Sequence, residues 1–407
     1  MARIIDEAEV VVIGGGIIGC SIGYHLAKAG RKVVLMEKEV IAYMESGRNA
    51  GGVRQQGRDL RELPMAMESI KMWQTLGEEL ECDTEYRRGG NLVVATNDEE
   101  AEKIRAAVAQ QQALGLGLFF LSEKEAREVC PALSDSVVAA SYCPTDGKAN
   151  PMATTIGFGR AAARTGVRVM LHTEAIGIEV VNGEVRGVTT QEGTVRAPVV
   201  VNAAGPWARR IGELAGCNVP VINRRNQIMA TEKLPPLFDQ FISGNTIYLS
   251  QTRSGSVVIG GSGPWERVCY EAATTSKTIM RYAGRSSVLA PVLKLSTVVR
   301  AWAGISGRTM DEIPIMGFVD SPKGFCNACG FSGHGFALGP VSGKLIAELI
   351  LRGKPSLPLD AFHIGRFAPD LDPIAAYERI RVQEPPVLGT GGMTLLHGSN
   401  AQGEEER

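Results

Sequence analysis

The chain has 407 residues, 44% of them hydrophobic, and 43 basic against 44 acidic side chains give a formal net charge of −1. This length supports a large core and roughly two or three domains, whereas the balanced charge leaves no basic excess to concentrate nucleic acid or anionic membrane. The eight scattered cysteines fit reduced thiols rather than a disulfide framework. Residues 1–9 show no targeting pattern and no apolar run is long enough to span a bilayer, so we expect a soluble cytoplasmic protein.

The first motif is a glycine-rich turn between a strand and a helix. A β-branched run at residues 10–13 is followed by Gly14-Gly15-Gly16-Ile17-Ile18-Gly19 and then by a helical pattern. In a G-x-G-x-x-G turn, Gly14 allows the tight turn, Gly16 lets the backbone approach a pyrophosphate, and Gly19 lets helix and strand pack closely. The phosphates then bind unpaired N–H groups at the positive end of the helix.

A second strand, residues 32–36, ends at Glu37. A carboxylate at this point can accept hydrogen bonds from both ribose hydroxyls of an adenosine, and it would repel a 2′-phosphate. Strand, glycine turn, helix and acid together predict binding of an adenine dinucleotide. The alternative is an ordinary βαβ unit with a glycine turn.

The pattern further along the chain alternates between helix and strand. Helices are predicted at residues 60–82, 98–114, 151–164, 275–289 and 340–351, and strands at residues 91–95, 167–171, 175–181, 185–190, 198–202, 295–302 and 325–331, with strand-like alternation over residues 219–261.

Elements typical of a nucleotide-binding domain recur at the start, in the middle and near the end of the chain. We therefore predict an α/β protein (α+β overall) in which two domains are interleaved in sequence. A Rossmann-type domain comprises residues 1–85, 140–215 and 305–367, and a β-sheet-rich substrate domain comprises residues 86–139 and 216–304. Residues 368–407 form a tail rich in Pro, Gly and charge. Its last residues are expected to be disordered, and its middle is expected either to be disordered as well or to contact a partner subunit.

Cys326-Asn327-Ala328-Cys329 is a C-x-x-C sequence within an apolar strand pattern. A redox dithiol or half a zinc site is one interpretation, but no second pair accompanies it. Buried structural cysteines are favoured, and no metal site is predicted.

Four separated motifs share one family: Gly14–Gly19 with Glu37, the loop of residues 46–52, Val201-Asn202-Ala203-Ala204-Gly205-Pro206-Trp207, and Gly330-Phe331-Ser332-Gly333-His334-Gly335. Over residues 8–367 the chain resembles the FAD-dependent D-amino-acid oxidase superfamily, in its glycine and sarcosine oxidase branch. It looks most similar to β subunits of hetero-oligomeric sarcosine oxidase, dye-linked proline dehydrogenase and opine oxidase.

The resemblance implies an FAD site built from these motifs. The loop of residues 46–52 offers a hydroxyl, an amide and backbone donors, and the positive end of the final helix would stabilise an anionic reduced flavin. The backbone of Ala175 is expected at the adenine. The implied cofactor-binding residues are Gly14, Gly16, Ile17, Ile18, Gly19, Glu37, Lys38, Ser46, Arg48, Asn49, Ala50, Gly51, Gly52, Ala175, Ala204, Gly205, Trp207, Gly304, Gly333, His334 and Gly335.

Three residues are candidates for the reaction itself. Arg54 follows the flavin loop and could bind a substrate carboxylate, or it could lie at the surface or on the phosphate side. Tyr248 lies on a predicted strand of the substrate domain, and His334 lies at the flavin turn, where it could act directly or only shape the loop.

Two departures from the sarcosine oxidase pattern matter. Residues 314–317 are Pro-Ile-Met-Gly, without the cysteine that tethers FAD in monomeric enzymes, so FAD is expected to be non-covalent. Phe336-Ala337-Leu338 stands where those enzymes have a substrate-binding lysine, so carboxylate recognition must differ. The multi-subunit relatives also leave open a second flavin, FMN, at a subunit interface.

These features predict a FAD-dependent amine oxidoreductase that transfers hydride from a secondary amino acid (an opine, sarcosine, proline or a similar compound) to flavin and gives an imine that hydrolyses. The chain is expected to be the catalytic β subunit of a hetero-oligomer. The alternatives are a D-amino-acid or glycine oxidase acting alone, a flavin electron-relay subunit, and an NAD-dependent dehydrogenase. Neither the amine nor the electron acceptor follows from the sequence.

Overall fold

The computed structural model describes residues 3–261, 266 and 268–383. The strands of this part of the chain are β1 (Ile4–Glu7), β2 (Val10–Ile13), β3 (Val33–Met36), β4 (Gly52–Val53), β5 (Asn91–Ala95), β6 (Phe119–Ser122), β7 (Ala139–Cys143), β8 (Gly147–Lys148), β9 (Arg168–Met170), β10 (Gly177–Val181), β11 (Glu184–Thr189), β12 (Thr194–Arg196), β13 (Val199–Asn202), β14 (Ile222–Lys233), β15 (Phe241–Gly244), β16 (Ile247–Gln251), β17 (Ser256–Gly261), β18 (Val298–Arg308), β19 (Ile315–Phe318) and β20 (Phe325–Cys329). The α-helices are α1 (Ile17–Lys28), α2 (Glu45–Arg48), α3 (Leu63–Trp73), α4 (Leu76–Leu80), α5 (Asp98–Ala113), α6 (Glu123–Val129), α7 (Pro151–Arg164), α8 (Ala208–Leu214), α9 (Ser276–Leu289), α10 (Gly335–Arg352) and α11 (Pro373–Gln383).

The first large sheet has the order β19-β20-β13-β2-β3-β9. Its central strands run parallel, with Val10 opposite both Val199 and Val33, and they are buried along their whole length. Helices α1, α7 and α10 pack on one face, whereas a four-stranded sheet, β1-β12-β11-β10, packs near the other. Because these strands are buried on both faces, their sequences are continuous runs of apolar, mostly β-branched residues rather than alternating apolar and polar ones.

The second large sheet has the order β18-β14-β17-β16-β15-β5-β7-β6. Most neighbours are antiparallel, but β15 and β5 pair in parallel. Helix α9 packs against β14, β16 and β17. Since β5–β7 precede and β14–β18 follow strands of the first sheet, the chain passes between the sheets more than once.

The mixed α/β fold agrees with the prediction, but several bounds were wrong. The predicted helix at 60–82 is two helices, α3 and α4, with Gln74 and Thr75 between them. Helix α10 begins at Gly335 rather than Pro340, and Pro340 lies inside the helix, where it has no N–H to donate to the preceding turn. Strand β18 begins three residues late and continues to Arg308, because it stays paired with β14.

We propose the same two interleaved domains, with two changed boundaries. Strand β7 pairs with β5 and β6, and β18 pairs with β14. Residues 140–143 and 305–308 therefore fall within the second sheet, although they were predicted to belong to the Rossmann-type domain. The predicted tail beyond residue 383 lies outside the described residues.

Helices α1 and α10 cross closely because small residues face each other. A Cβ atom added at Gly343 would lie 2.0 Å from Ser21 Oγ, and one at Gly339 would lie 2.7 Å from Ile17 Cγ1. The first turn of α1 is thereby held in place, because Ile17 packs directly on the α10 backbone, and this turn forms the nucleotide motif.

Gly343→Ala is therefore expected to lower the free energy of unfolding by about 1–3 kcal/mol, because the new methyl group must displace Ser21. Gly284→Ala is the matched control, since Gly284 lies in α9 with open space around its Cα. That change should stabilise the protein slightly through helix propensity. Chemical denaturation of both variants measures the difference, and equal stabilities would contradict the close crossing.

Cys326 and Cys329 are buried in β20, and all described cysteines are free thiols. Residues three apart in a strand point to opposite faces, and burial raises the pKa of the Cys326 thiol to about 12. Within the described residues, no helix is long and apolar enough to cross a membrane, and no cluster of three or more His, Cys, Asp or Glu side chains could hold a metal ion.

Candidate active site

A cleft of about 1680 Å³, including its solvent-open mouth, runs from the glycine turn after β2 to the second sheet. Its lining includes the turn at residues 14–18, the loop at residues 42–52, the segment 203–207 and the turn at residues 328–336. Four motifs that are far apart in the sequence therefore meet along one cavity.

The glycine turn has the geometry that the sequence predicts. Gly14 has φ +119°, and a Cβ there would lie 2.3 Å from the Ala203 carbonyl oxygen. A Cβ on Gly19 would lie 2.0 Å from the Gly14 carbonyl oxygen, so Gly19 serves packing and lies outside the cleft lining. Gly16, Ile17 and Ile18 line the cleft at the start of α1, where helix N–H groups lack intrahelical acceptors.

Glu37 lies at the cleft wall after β3. Its carboxylate accepts hydrogen bonds from the Gly15 N–H at 2.6 Å and from the Glu39 N–H at 2.8 Å. These bonds fix the carboxylate beside the glycine turn. Lys38 also lines the cleft, with its Nζ 3.4 Å from the centre of the Trp207 ring; Ala175, Ala204 and Gly205 complete this end.

The loop after Met44 forms the middle of the cleft. Ser46 Oγ accepts a hydrogen bond from the Ile17 N–H at 3.0 Å, and Asn49 Oδ1 accepts one from the Gly51 N–H at 2.8 Å. Ser46, Asn49, Ala50 and Gly52 line the cavity. The Ser46 bond therefore ties the loop to the start of α1.

Arg48, Gly51 and Gly304 lie outside the lining, although they were predicted to bind the cofactor. Arg48 Nη1 donates to the Ala303 carbonyl at 2.9 Å, while the Trp302 indole N–H donates to the Arg48 carbonyl at 2.9 Å. A Cβ on Gly304 would lie 3.5 Å from Arg48 Cβ. Gly51 turns with φ +76° against the Ala149 carbonyl. These residues join the loop to its neighbours instead of facing the cavity.

His334 also faces away from the lining, whereas Gly333 and Gly335 belong to it. The His334 ring is buried, and its Nδ1 hydrogen-bonds to Glu62 Oε2 at 2.8 Å. Burial lowers the pKa of the imidazole. This arrangement favours a role in shaping the turn at the start of α10 over direct chemistry.

Arg54 lines the cleft, and so does Arg58, which the sequence analysis missed. Loss of solvation and the neighbouring Arg58 charge lower the pKa of Arg54 to about 9. The negative charges of Asp146 and Glu62 act in the other direction and raise this pKa. Arg58 Nε lies 3.9 Å from Glu62 Oε2. The sequence did contain a signal for Arg58, because this second arginine follows Arg54 by four residues, shortly after the glycine-rich loop.

Tyr248 reaches the cleft from β16 and stacks on Phe241, with ring centres 5.6 Å apart. Loss of solvation raises the pKa of its hydroxyl. Glu45, a second lining residue that was missed, has a carboxyl whose pKa is raised to about 7 by loss of solvation, although the Arg308 charge acts against the rise. It directly precedes the predicted loop, but an acid at a predicted flavin site gave no reason to single it out.

The comparisons agree with this geometry. The family described as FAD dependent oxidoreductase (DAO) matches residues 9–349. The chain belongs to this family. Its proteins bind FAD, and the residues of this cleft fit that cofactor, since the glycine turn at the start of α1 and Glu37 line it together.

Relatives within the FAD dependent oxidoreductase family include human mitochondrial sarcosine dehydrogenase, 29% identical over 385 residues that make up 89% of this chain and 42% of the relative. Sarcosine oxidase subunit beta from an Arthrobacter species is 28% identical over 370 residues, 88% of this chain and 91% of the relative. The crystal structure of L-proline dehydrogenase from P. horikoshii superposes with a TM-score of 0.84 at 32% identity, covering 88% of this chain and 97% of that chain. The chain spans less than half the length of the mammalian sarcosine dehydrogenases.

Gly16→Val is expected to abolish FAD retention, because its side chain would fill the space where the pyrophosphate must approach the backbone. The visible spectrum of the purified protein and the cofactor released by acid measure this. Gly284→Ala, far from the cleft, is the control and should stay yellow. A yellow Gly16→Val protein with a full complement of FAD would contradict the placement of the phosphates.

Proposed function

We propose that this FAD dependent oxidoreductase oxidises the C–N bond of a secondary amino acid to an imine that water hydrolyses. The observation that carries the proposal is the position of two arginines, Arg54 and Arg58, on the cleft wall beside the turn at residues 333–335. They provide cations for a substrate carboxylate where the lysine of sarcosine oxidases is absent. The relatives named above as sarcosine and proline enzymes support the substrate class.

FAD, when bound, supplies the chemistry by accepting a hydride from the carbon beside nitrogen. The chain's own residues position the substrate. Glu62 forms an ion pair with Arg58. Asp146 accepts hydrogen bonds from the backbone N–H groups of Gln55 and Gln56, and these bonds fix the segment that carries Arg54. Tyr248 lines the same cleft with an aromatic ring that stacks on Phe241.

FAD is proposed to be non-covalent, because Ile315 and Met316 occupy the strand where related enzymes carry the tethering cysteine. FMN at a subunit interface stays a prediction, which the identification of the released cofactors tests directly. Assembly into a hetero-oligomer is supported by the similarity to a protein named as a subunit. Exposed Leu295 (93%), three residues before the edge strand β18, and Val299 (62%), within that strand, provide an apolar surface for a partner.

The purified chain is expected to contain FAD that sarcosine, proline or an N-carboxyalkyl amino acid reduces in the absence of oxygen. Loss of the oxidised flavin band measures the reduction. Arg58→Met should raise the KM at least about tenfold, because a charged hydrogen bond to the carboxylate is lost. Arg253→Met, an exposed ion-pair residue, is the control. A flavin that only a protein electron donor reduces would favour the electron-relay alternative.

The KM for an anionic substrate is expected to increase as the pH rises through about 7. Glu45 has a pKa of about 7, so its carboxyl is neutral at lower pH and becomes an additional negative charge in the cleft at higher pH. Glu45→Gln should flatten this limb of the KM profile. If the KM of the wild type and of Glu45→Gln increases equally above pH 7, another group causes the increase.

A further inference from the structure

The turn that begins α10 contains a buried histidine between residues that line the cleft. Gly333, Gly335 and Phe336 belong to the cleft wall. The His334 ring faces away from the cavity, and its Nδ1 hydrogen-bonds to Glu62 Oε2 at 2.8 Å. A positive charge on this imidazole would therefore lie behind the cleft wall, where it acts on a bound molecule through space rather than by contact.

Glu62 gives this imidazole a carboxylate partner that is fully buried. Its Oε2 bonds to His334, whereas its Oε1 has no hydrogen-bond partner among the described residues. Arg58 Nε lies 3.9 Å from Oε2, which is too far for a hydrogen bond. Burying a carboxylate is costly unless it is paired and hydrogen-bonded, so a proton gained by the imidazole is held by a charge-assisted hydrogen bond.

Several groups keep the imidazole neutral in the absence of a further negative charge. Burial is the main cause that lowers the pKa of His334, and the charges of Arg58 and Arg54 lower it as well, while Glu62 acts in the other direction. The positive end of α10 adds to the lowering, because His334 stands at the start of this helix. The ring is therefore uncharged near pH 7.

The remaining charges around this turn come from two sides. Asp59 faces the imidazole from the segment before α3. Arg308 of β18 approaches Gly333, with its Nη2 3.7 Å from the position of a Cβ there. Asp59 forms an ion pair with Arg61, and Arg308 forms one with Glu312. Since each of these charges already has a partner, the state of the imidazole depends on what occupies the cleft.

Reduction of FAD brings a negative charge to this part of the cleft. A pyrophosphate at the glycine turn and an adenosine at Glu37 leave the flavin the rest of the cleft, which residues 328–336 line. Hydride transfer breaks the C–H bond beside nitrogen and forms a bond to flavin N5, which leaves one negative charge on the flavin and an iminium product. The iminium releases its N–H proton to become the imine. A negative charge nearby raises the pKa of a histidine.

We propose that His334, hydrogen-bonded to Glu62, takes up one proton for each two electrons that the flavin receives. An N–H bond forms on the imidazole, and this proton balances the one that the iminium releases. The inference rests on the proposed hydride transfer, and it adds a group that keeps the charge of the site constant during reduction. The His334 side chain acts through its charge, in agreement with its position behind the cleft wall.

The midpoint potential of the FAD-loaded protein measures this uptake, because each proton bound with two electrons lowers the potential by about 30 mV per pH unit. Flavin N5 binds one proton and His334 a second, so the potential of the wild type should fall by about 60 mV per pH unit near pH 7. For His334→Asn the fall should be about 30 mV per pH unit, because an amide can hydrogen-bond to Glu62 but does not titrate. Reduction by dithionite with a reference dye needs no amine.

His172→Asn is the matched control, since His172 is exposed and has φ +52°, a conformation that Asn adopts readily. This variant should keep the wild-type slope of potential against pH. A wild-type slope of about 30 mV per pH unit, or the same slope in the wild type and His334→Asn, overturns the proposal.

Glu62→Gln is the second variant if His334→Asn does not retain FAD, and its slope should also fall, because the protonated imidazole loses its counter-ion. If neither variant retains FAD, the absorption spectrum of the reduced wild type decides. A neutral reduced flavin has bound the second proton itself and contradicts the proposal, whereas an anionic one with the steeper slope supports it. A flavin that neither sarcosine nor proline reduces contradicts the proposed reaction but leaves these potentials unchanged.

Discussion

The architecture depends on backbone segments that touch without side chains between them. At the glycine turn, Gly19 meets the carbonyl of Gly14, and Gly14 meets the carbonyl of Ala203. Any side chain at these points would push α1 away from β2 and β13. Gly339 and Gly343 of α10 likewise lack side chains where the helix crosses α1, so that Ile17 and Ser21 pack directly on the α10 backbone. The start of α1 is thus held from both sides, so that its free N–H groups have a defined direction before a phosphate reaches them.

Charge is distributed unevenly around the cleft that results. Near the adenine end, Glu37 is fixed by two backbone N–H groups. At the far end, the positive charges belong to Arg54, Arg58 and Arg308. Neighbouring carboxylates determine how much of this positive charge remains unbalanced. Asp146 and Glu62 act on Arg54 and Arg58, whereas Glu312 forms an ion pair with Arg308, whose charge also acts on Glu45. An enzyme that leaves the redox chemistry to its cofactor uses such differences to select what binds beside it.

The elements around the nucleotide were predictable because their signals are local. The β-branched run, the glycines and Glu37 each follow from short-range geometry, and the β2–α1–β3 unit has the predicted form. The contacts across the cleft were not predictable in this way. Arg48, Gly51 and Gly304 were predicted to bind the cofactor, yet they face Ala303, Ala149 and Arg48. Arg58 was missed although its spacing from Arg54 was a signal, and Glu45 was missed because its significance depends on burial in the cleft, which a single sequence does not display.

The hydrogen bonds between Arg48 and the 302–303 segment of β18 join residues 254 and 255 positions apart. The innermost strands of the first sheet have a similar requirement, since β2 lies beside β13, and β13 beside β20. During synthesis, the amino-terminal segment therefore emerges long before its partners exist. Contacts of such long range slow folding and prolong the exposure of apolar strands. The cofactor loop thus acquires its final shape among the last parts of the molecule, although it is encoded among the first.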